Sequence, residues 1–379
     1  MKVVIAIDSL KGSLSSIEAG LAIKEGILTA CDAEVIVKPL ADGGEGTVDA
    51  LLAGMGGKEI TLEVTGPLGH KVPCSYGILK DNKTAILEMA AASGIKLVPT
   101  ELLNPLNTTT FGVGEMIKDA ISRGCRNFII GIGGSATNDG GIGMLQALGY
   151  QFFDSESNPI GMEGRELLNI ASLSCSKALS ELSECTFKIA CDVTNPLFGE
   201  NGAAHVFGPQ KGASPDIVKQ LDSGLMNFAE VVKHTLGKDN ALVPGTGAAG
   251  GLGYAFLTFL NASLESGIHI ILNEIELEKD ILDADYVITG EGKLDFQTSM
   301  GKAPVGVAKL AKKHGKKVIA FAGGTTKDAT RCNEEGIDAY FSILQLPMTV
   351  EEAMEYDTAK ANLSSSAAQV FRLIKAIKE

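Results

Sequence analysis

Short unbroken apolar runs lie near both ends of the chain, and each stops abruptly in a loop of glycines with charged or hydroxyl side chains. Runs of this length without alternation read as strands of a parallel sheet covered on both faces. Residues 2–7 (KVVIAI) lead into the loop 8–13 (DSLKGS). Ser15 and Glu18 then have capping-box spacing, so a helix begins there, with Ala19, Ala22, Ile23 and Ile27 along one side. A second strand over 34–39 meets the loop 41–46 (ADGGEG) and the helical pattern TVDALLAGM. Two strand–loop–helix units in succession predict a doubly wound sheet, whose loops at the strand ends are where open α/β sheets place ligands.

From residue 58 the pattern changes to alternation: Ile60, Leu62 and Val64, the turn GPLG, a segment over 72–79, a DN turn and a segment over 84–88. This spacing predicts antiparallel sheet. A helix follows over 109–122, then a strand into a glycine-rich loop at 128–143, a strand over 186–193, a long helix over 214–236 and the loop 244–253. The parallel pattern returns near residue 284, with strands over 286–289, 317–321 and 339–344, and Thr349 with Glu352 makes another capping box. The expected fold is α/β with two domains: a Rossmann- or flavodoxin-like, mainly parallel doubly wound sheet from residues 1–58 plus 283–379, and an α/β domain inserted as residues 59–282.

A length of 379 residues with 45% hydrophobic content supports two cores. The formal net charge of -13 and the lack of clustered Lys and Arg argue against nucleic acid or an anionic membrane as partner. The 7 cysteines are scattered without metal spacing and read as free thiols of a reducing cytoplasm. No export signal and no apolar run of spanning length is found, so a cytoplasmic location is expected. Oligomeric state is not legible, and a homo-oligomer stays open.

The chemistry concentrates in loops. The stretch 128–143 (FIIGIGGSATNDGGIG) is a buried strand running into glycines whose N–H groups could approach an anion ahead of the next helix. The loops DSLKGS, ADGGEG, CDVTNPL (191–197), GPQKG (208–212) and GEGKLDFQTSMGK (290–302) likewise put carboxylates or lysines among turn residues. A single Asp in such a turn is ordinarily a cap or an Asx-turn. Their convergence is what phosphoryl transfer requires, with Asp for Mg²⁺ and for the hydroxyl proton, and Lys and N–H groups for the moving oxygens. No G-x-x-x-x-G-K-[ST] is present, so this is no P-loop enzyme. An alternative is an NAD(P)-dependent oxidoreductase, because Gly131, Gly133 and Ala136 match G-x-G-x-x-A and Asp154 follows at about 20 residues. Another is a non-catalytic, two-lobed binder of a small anion. Histidines 70, 205, 234, 269 and 314 show neither metal spacing nor a hydrolase elbow.

Together with EMAAASG (88–94), GIGGSATNDGG (131–141), GAAGGLG (247–253) and GEGKLDFQTSMGKAP (290–304), these runs resemble the bacterial glycerate kinase family, the type unrelated to P-loop kinases. The resemblance spans essentially the whole chain, in order. It implies transfer of the ATP γ-phosphoryl to D-glycerate with Mg²⁺, giving 2- or 3-phosphoglycerate, in a cleft between two α/β domains. Lys293 occupies a slot in GEGKLD where Arg is more often expected, which keeps the charge but not the fork geometry. On that reading the amides of Gly133, Gly134 and Ser135 cradle phosphate, with Lys11 and Lys302 as mobile cations. Asp42, Asp192 and Asp295 are candidates for the catalytic base, the latter two also for Mg²⁺. Asn138, Asp139 and Asn195 would position substrate or water, and Lys11, Lys211 and Lys293 are candidates for the glycerate carboxylate.

Overall fold

In chain order the strands are β1 (Lys2–Ile7), β2 (Glu34–Pro39), β3 (Gly57–Thr65), β4 (Lys71–Leu79), β5 (Thr84–Glu88) and β6 (Asn127–Gly131). They continue with β7 (Gln151–Phe153), β8 (Ser172–Ser174), β9 (Thr186–Ala190), β10 (Ser263–Glu265), β11 (Tyr286–Leu294), β12 (Lys317–Thr325) and β13 (Ala339–Ser342). The computed structural model describes every residue except Asp42, Glu45 and Glu379. The chain divides into two compact units: Met1–Asp42, Asp49–Gly56 and Ile268–Glu379 form the chain-end unit, and Gly43–Val48 and Gly57–Gly267 the inserted unit.

The chain-end unit is built on a sheet of 5 strands in the order β13-β12-β11-β1-β2, all parallel. Numbered within this sheet, the order is 2-1-3-4-5, the flavodoxin-like arrangement with its switch point between β1 and β11. Val3, Ile5 and Ile7 point to one face, where they share a core with Ile23 and Ile27 of the helix Ser16–Ala30 and Leu363 and Phe371 of the helix Tyr356–Lys378. Val4 and Ala6 point the other way and are just as buried, so the unbroken apolar run of β1 reports two covered faces. Ser15 and Glu18 complete the expected capping box, as do Thr349 and Glu352. Lys38 ties residues 268–282 to this unit, donating to the Ile275 carbonyl at 3.1 Å and pairing with Asp280 at 2.8 Å.

One element runs longer than its pattern. The apolar run stops at Thr289, yet β11 stays paired with β12 as far as Leu294 opposite Thr325. Gly290 makes this possible: its φ is +154°, and a Cβ there would sit 1.9 Å from the Phe321 carbonyl oxygen. The GEGK segment is therefore strand, and its charged residues stand on a rigid ladder.

The inserted unit carries a sheet of 6 strands in the order β10-β9-β6-β5-β4-β3. β3, β4 and β5 are antiparallel, in agreement with the alternation read there, and β5, β6, β9 and β10 are parallel. The helix Phe111–Ser122 buries Val113, Met116, Ile117 and Ala120, an i, i+3, i+4, i+7 stripe. Phe128 of β6 stacks on Phe187 of β9 with ring centroids 4.8 Å apart. The long helix Pro215–Leu236 has Ser214 as its N-cap and Gly237 in the left-handed conformation at its end. Among the described residues no helix is long and apolar enough to cross a membrane.

Candidate active site

In the chain-end unit the polar groups meet at the carboxyl ends of β1 and β11, beside the switch point. Asp8 is buried; its N–H donates to the Gly290 carbonyl at 2.9 Å and its Oδ1 accepts from the Ser9 N–H at 2.7 Å. Leu10 and Leu14 close the next turn, whose tip carries Lys11 in the open. A Cβ on Gly292 would lie 3.5 Å from the Lys11 backbone nitrogen, so the turn rests on the GEGK strand. Lys293 on that strand is exposed. Glu291 is buried and accepts from the Thr298 hydroxyl, whose oxygen in turn accepts from the Asp295 N–H at 3.1 Å.

Asp295 is the N-cap of the short helix Phe296–Ser299, its Oδ1 accepting from the N–H groups of Gln297 at 2.9 Å and Thr298 at 3.4 Å. Its Oδ2 has no protein partner among the described residues. Lys302 donates to Gln297 Oε1 at 3.1 Å. The structure thus brings Lys11, Lys293, Asp295 and Lys302 onto two adjoining segments of one unit. Asp42 lies outside the described residues.

In the inserted unit the centre is the loop after β6. Gly133 is exposed, and the backbone N–H groups of Gly133, Gly134 and Ser135 have no acceptor among the described residues. Two bonds hold this loop open: Ile95 N–H to the Gly134 carbonyl at 2.8 Å and Ala136 N–H to the Ser93 carbonyl at 2.9 Å. The next helix, Ile142–Ala147, is short and begins several residues further on, so loop amides rather than a helix end present the donors. Asp139 is fully buried and accepts from the Thr110 N–H and hydroxyl, both at 2.7 Å, and from the Gly141 N–H at 3.1 Å. Burial pushes its carboxyl up, against these bonds. Asn138 is also fully buried, yet among the described residues neither polar atom of its side chain has a partner, nor has Thr137 Oγ1.

Lys211, in the turn Pro209–Lys211, is 2% exposed and donates to Ser135 Oγ at 2.7 Å and to the Thr137 carbonyl at 2.6 Å. Burial pulls it down to about 7, with Asp139 acting in the opposite sense. The GAAGGLG segment backs this loop. Gly250 has φ +69°, and a Cβ there would lie 2.1 Å from the Thr137 carbonyl oxygen. Asp192 and Asn195 follow β9; Asp192 is exposed, with Oδ1 accepting from the Gly267 N–H at 3.1 Å. Asn195 donates to the Asn201 carbonyl at 2.8 Å. Gly133, Gly134, Ser135, Asn138, Asp139 and Lys211 are thus together, whereas Asp192 and Asp295 belong to different units.

Three acidic residues stand out that the sequence reading gave no role: Asp8, Glu88 and Glu291. Glu88 accepts from the N–H groups of Gly46 and Val48 at 3.1 and 3.0 Å, so the end of the ADGGEG loop is held by the end of β5. Each sits within a quoted run, Asp8 and Glu88 at strand ends and Glu291 just past the apolar run of β11, and that position is the available signal. The acid of the dinucleotide fingerprint is otherwise engaged: Asp154 Oδ1 closes its own turn with the N–H groups of Glu156 at 2.9 Å and Asn158 at 2.8 Å.

The sequence model of the glycerate kinase family matches residues 3–375. The chain belongs to the glycerate kinase family. It is 50% identical over 374 residues to the glycerate 2-kinase of Escherichia coli K12, covering 97% of this chain and 98% of that protein. It is 48% identical over 375 residues to the glycerate kinase of Haemophilus influenzae, covering 99% of each. A crystal structure assigned to glycerate kinase 2 of Salmonella typhimurium LT2 superimposes with a TM-score of 0.92 at 46% identity, covering 100% of this chain and 99% of that one. The family resemblance read from the loops and the α/β architecture are both borne out.

Proposed function

We infer that this chain is a glycerate kinase, transferring the γ-phosphoryl of ATP to D-glycerate. The observation that carries this is the family match, which runs through nearly the whole chain and includes every loop singled out above. In the reaction a glycerate hydroxyl oxygen bonds to the γ-phosphorus, the bond to the ADP oxygen breaks, and the hydroxyl proton leaves to a base. The 2-hydroxyl is the acceptor proposed here, supported by 50% identity to a relative named glycerate 2-kinase.

The residue roles follow from chemistry at each position. The free amides of Gly133, Gly134 and Ser135 receive phosphate oxygens. Lys11 and Lys302 supply cations to the transferring phosphoryl, and Lys293 pairs with the glycerate carboxylate. Asn138 offers a buried amide to substrate, while Asp139 and Asn195 hold the loops around it. Mg²⁺ is the expected metal, for which Asp192 and Asp295 are the ligands proposed and Asp42 is kept as the base.

Among the described residues no group of three His, Cys, Asp or Glu converges. The donor set still fits Mg²⁺, which keeps several waters and takes one or two carboxylates alongside phosphate. When bound, it would neutralise charge on the phosphate oxygens. The two domains are proposed to be the chain-end and inserted units.

The test is coupled measurement of ADP release from ATP and Mg²⁺ with and without D-glycerate, with phosphorus NMR of the product. Glycerate-dependent ADP and a 2-phosphoglycerate resonance are expected. ADP release indifferent to glycerate refutes the reading, and a 3-phosphoglycerate resonance refutes the regiochemistry alone.

A further inference from the structure

Lys211 was a candidate for direct contact with the glycerate carboxylate, but its surroundings point elsewhere. Its Nζ is enclosed and already gives two donors to the protein, to Ser135 Oγ at 2.7 Å and to the Thr137 carbonyl at 2.6 Å. Burial works against the charged form of this amine and Asp139 favours it. Nζ must donate to the Thr137 carbonyl, which can only accept, and in the ammonium form it has no lone pair with which to accept from Ser135. In that form Ser135 Oγ is the acceptor in this pair, and its own hydroxyl hydrogen is aimed at another group. No described protein group takes that hydrogen.

Ser135 lies at the edge of burial, 9% exposed, on the loop whose neighbouring amides are free. On the same loop Thr137 Oγ1 and both polar atoms of the Asn138 side chain are buried without partners among the described residues. Buried polar groups are nearly always satisfied, so a run of such orphans marks a place that a ligand or ordered water completes.

We propose that Lys211 is a positioning residue that turns the Ser135 hydroxyl into a donor for a substrate oxyanion, without touching the ligand itself. The oxyanion is a phosphate oxygen of ATP or the carboxylate of glycerate, which present the same acceptor chemistry. The proposal rests on the kinase reading above. It converts the GPQKG turn from part of the binding surface into the support of the phosphate loop.

The test is a double-mutant cycle. Ser135→Ala removes the hydroxyl and Lys211→Met removes the donor that orients it at similar length. Ser135→Ala raises the KM of one substrate roughly tenfold, in keeping with loss of a hydrogen bond to a charged group, and leaves the other KM within about twofold. Lys211→Met raises the same KM by a similar factor, and the double variant is no worse than the larger single. The ATP KM moving identifies the phosphate as the partner, and the glycerate KM moving identifies the carboxylate.

A lysine that merely holds the fold lowers the melting temperature without selecting the KM that Ser135→Ala selects, and that result overturns the proposal. So do unchanged KM values in Ser135→Ala, or effects that multiply in the double variant. Should Lys211→Met not fold, Lys211→Gln, which keeps an N–H donor, is expected to raise only the KM that Ser135→Ala raises, and by a smaller factor; a rise in the other KM overturns the proposal. Wild-type protein without glycerate-dependent ADP release counts against the kinase reading and is thereby distinguished from failure of this inference.

Discussion

Asp295 is asked to do two things, and a pair of substitutions separates them. As an N-cap its Oδ1 accepts from the Gln297 and Thr298 N–H groups. Loss of such a cap to Ala costs about 1 kcal/mol, whereas Asn caps about as well as Asp. As a proposed metal ligand or base it needs the carboxylate charge, which Asn lacks as surely as Ala. The expectation is therefore asymmetric. Asp295→Asn keeps its melting temperature while kcat falls by about 10²-fold or more, which is about 2.7 kcal/mol of transition-state stabilisation. Asp295→Ala loses the same kcat and about 1 kcal/mol of stability besides. Steady-state ADP release with glycerate and ATP saturating, together with thermal melts of both variants, reads all four quantities. Near wild-type kcat in Asp295→Asn would refute the catalytic assignment and leave Asp295 as a helix cap that holds the loop.

Lys211→Met alters how stability depends on pH. The folded chain holds this side chain near 7 while the unfolded chain binds its proton up to about 10, so wild-type stability rises with pH across that window and is lowest below it. The substitution removes a rise of about 3 kcal/mol between pH 7 and pH 9.5, read by urea unfolding at those two pH values, and equal slopes in both proteins contradict the assignment. Gly250→Ala forces a side chain against the Thr137 carbonyl oxygen at a φ of +69° and should cost about 3 kcal/mol or more. Gly133→Ala, with nothing among the described residues within 4 Å of its Cβ, should leave stability nearly unchanged, and equal losses in the two would undo the packing argument. Chelation with EDTA should abolish ADP release and leave the melting temperature alone, with activity restored by excess Mg²⁺; turnover persisting in EDTA contradicts the Mg²⁺ assignment.

Much of this architecture is legible in local pattern because it is made by local rules. The unbroken run of β1 announces two covered faces, the alternation of Ile60, Leu62 and Val64 announces an antiparallel hairpin, and Ser15–Glu18 and Thr349–Glu352 announce helix starts. What escapes is decided at a distance. The GEGK segment contains two glycines and two charges, the composition of a loop, and only the adjoining β12 ladder keeps it extended to Leu294. The Gly43–Val48 segment follows β2 directly in sequence, yet it belongs with the inserted unit, where Glu88 binds its amides from 40 residues away or more.

The same distinction applies within the site. Composition is enough to mark SATNDGG and GPQKG as loops of chemical interest, the first after the buried strand β6 and the second after the helix Ala203–Phe207, because both gather polar or charged side chains among glycines. It cannot say which of those side chains faces a ligand and which faces another side chain. In sequence Lys211 is a cation in a turn, and a cation in a turn is read as a partner for an anion. Burial reverses the inference, because an ammonium removed from water must give its protons to the protein around it, and here it gives them to Ser135 and Thr137. Asp139 undergoes the same reversal: the carboxylate that looked available to substrate is fully enclosed and spent on Thr110 and Gly141. On the proposed kinase reading, the groups left for a ligand are those the enclosed pair supports: the Ser135 hydroxyl, the amides of Gly133 and Gly134, and the side chain of Asn138, which has no partner among the described residues. A loop held this way is pre-formed, so on the proposed reading little of its ligand's binding energy goes into ordering it, and substitutions at Lys211 and Asp139 should act through affinity for that ligand more than through the chemical step.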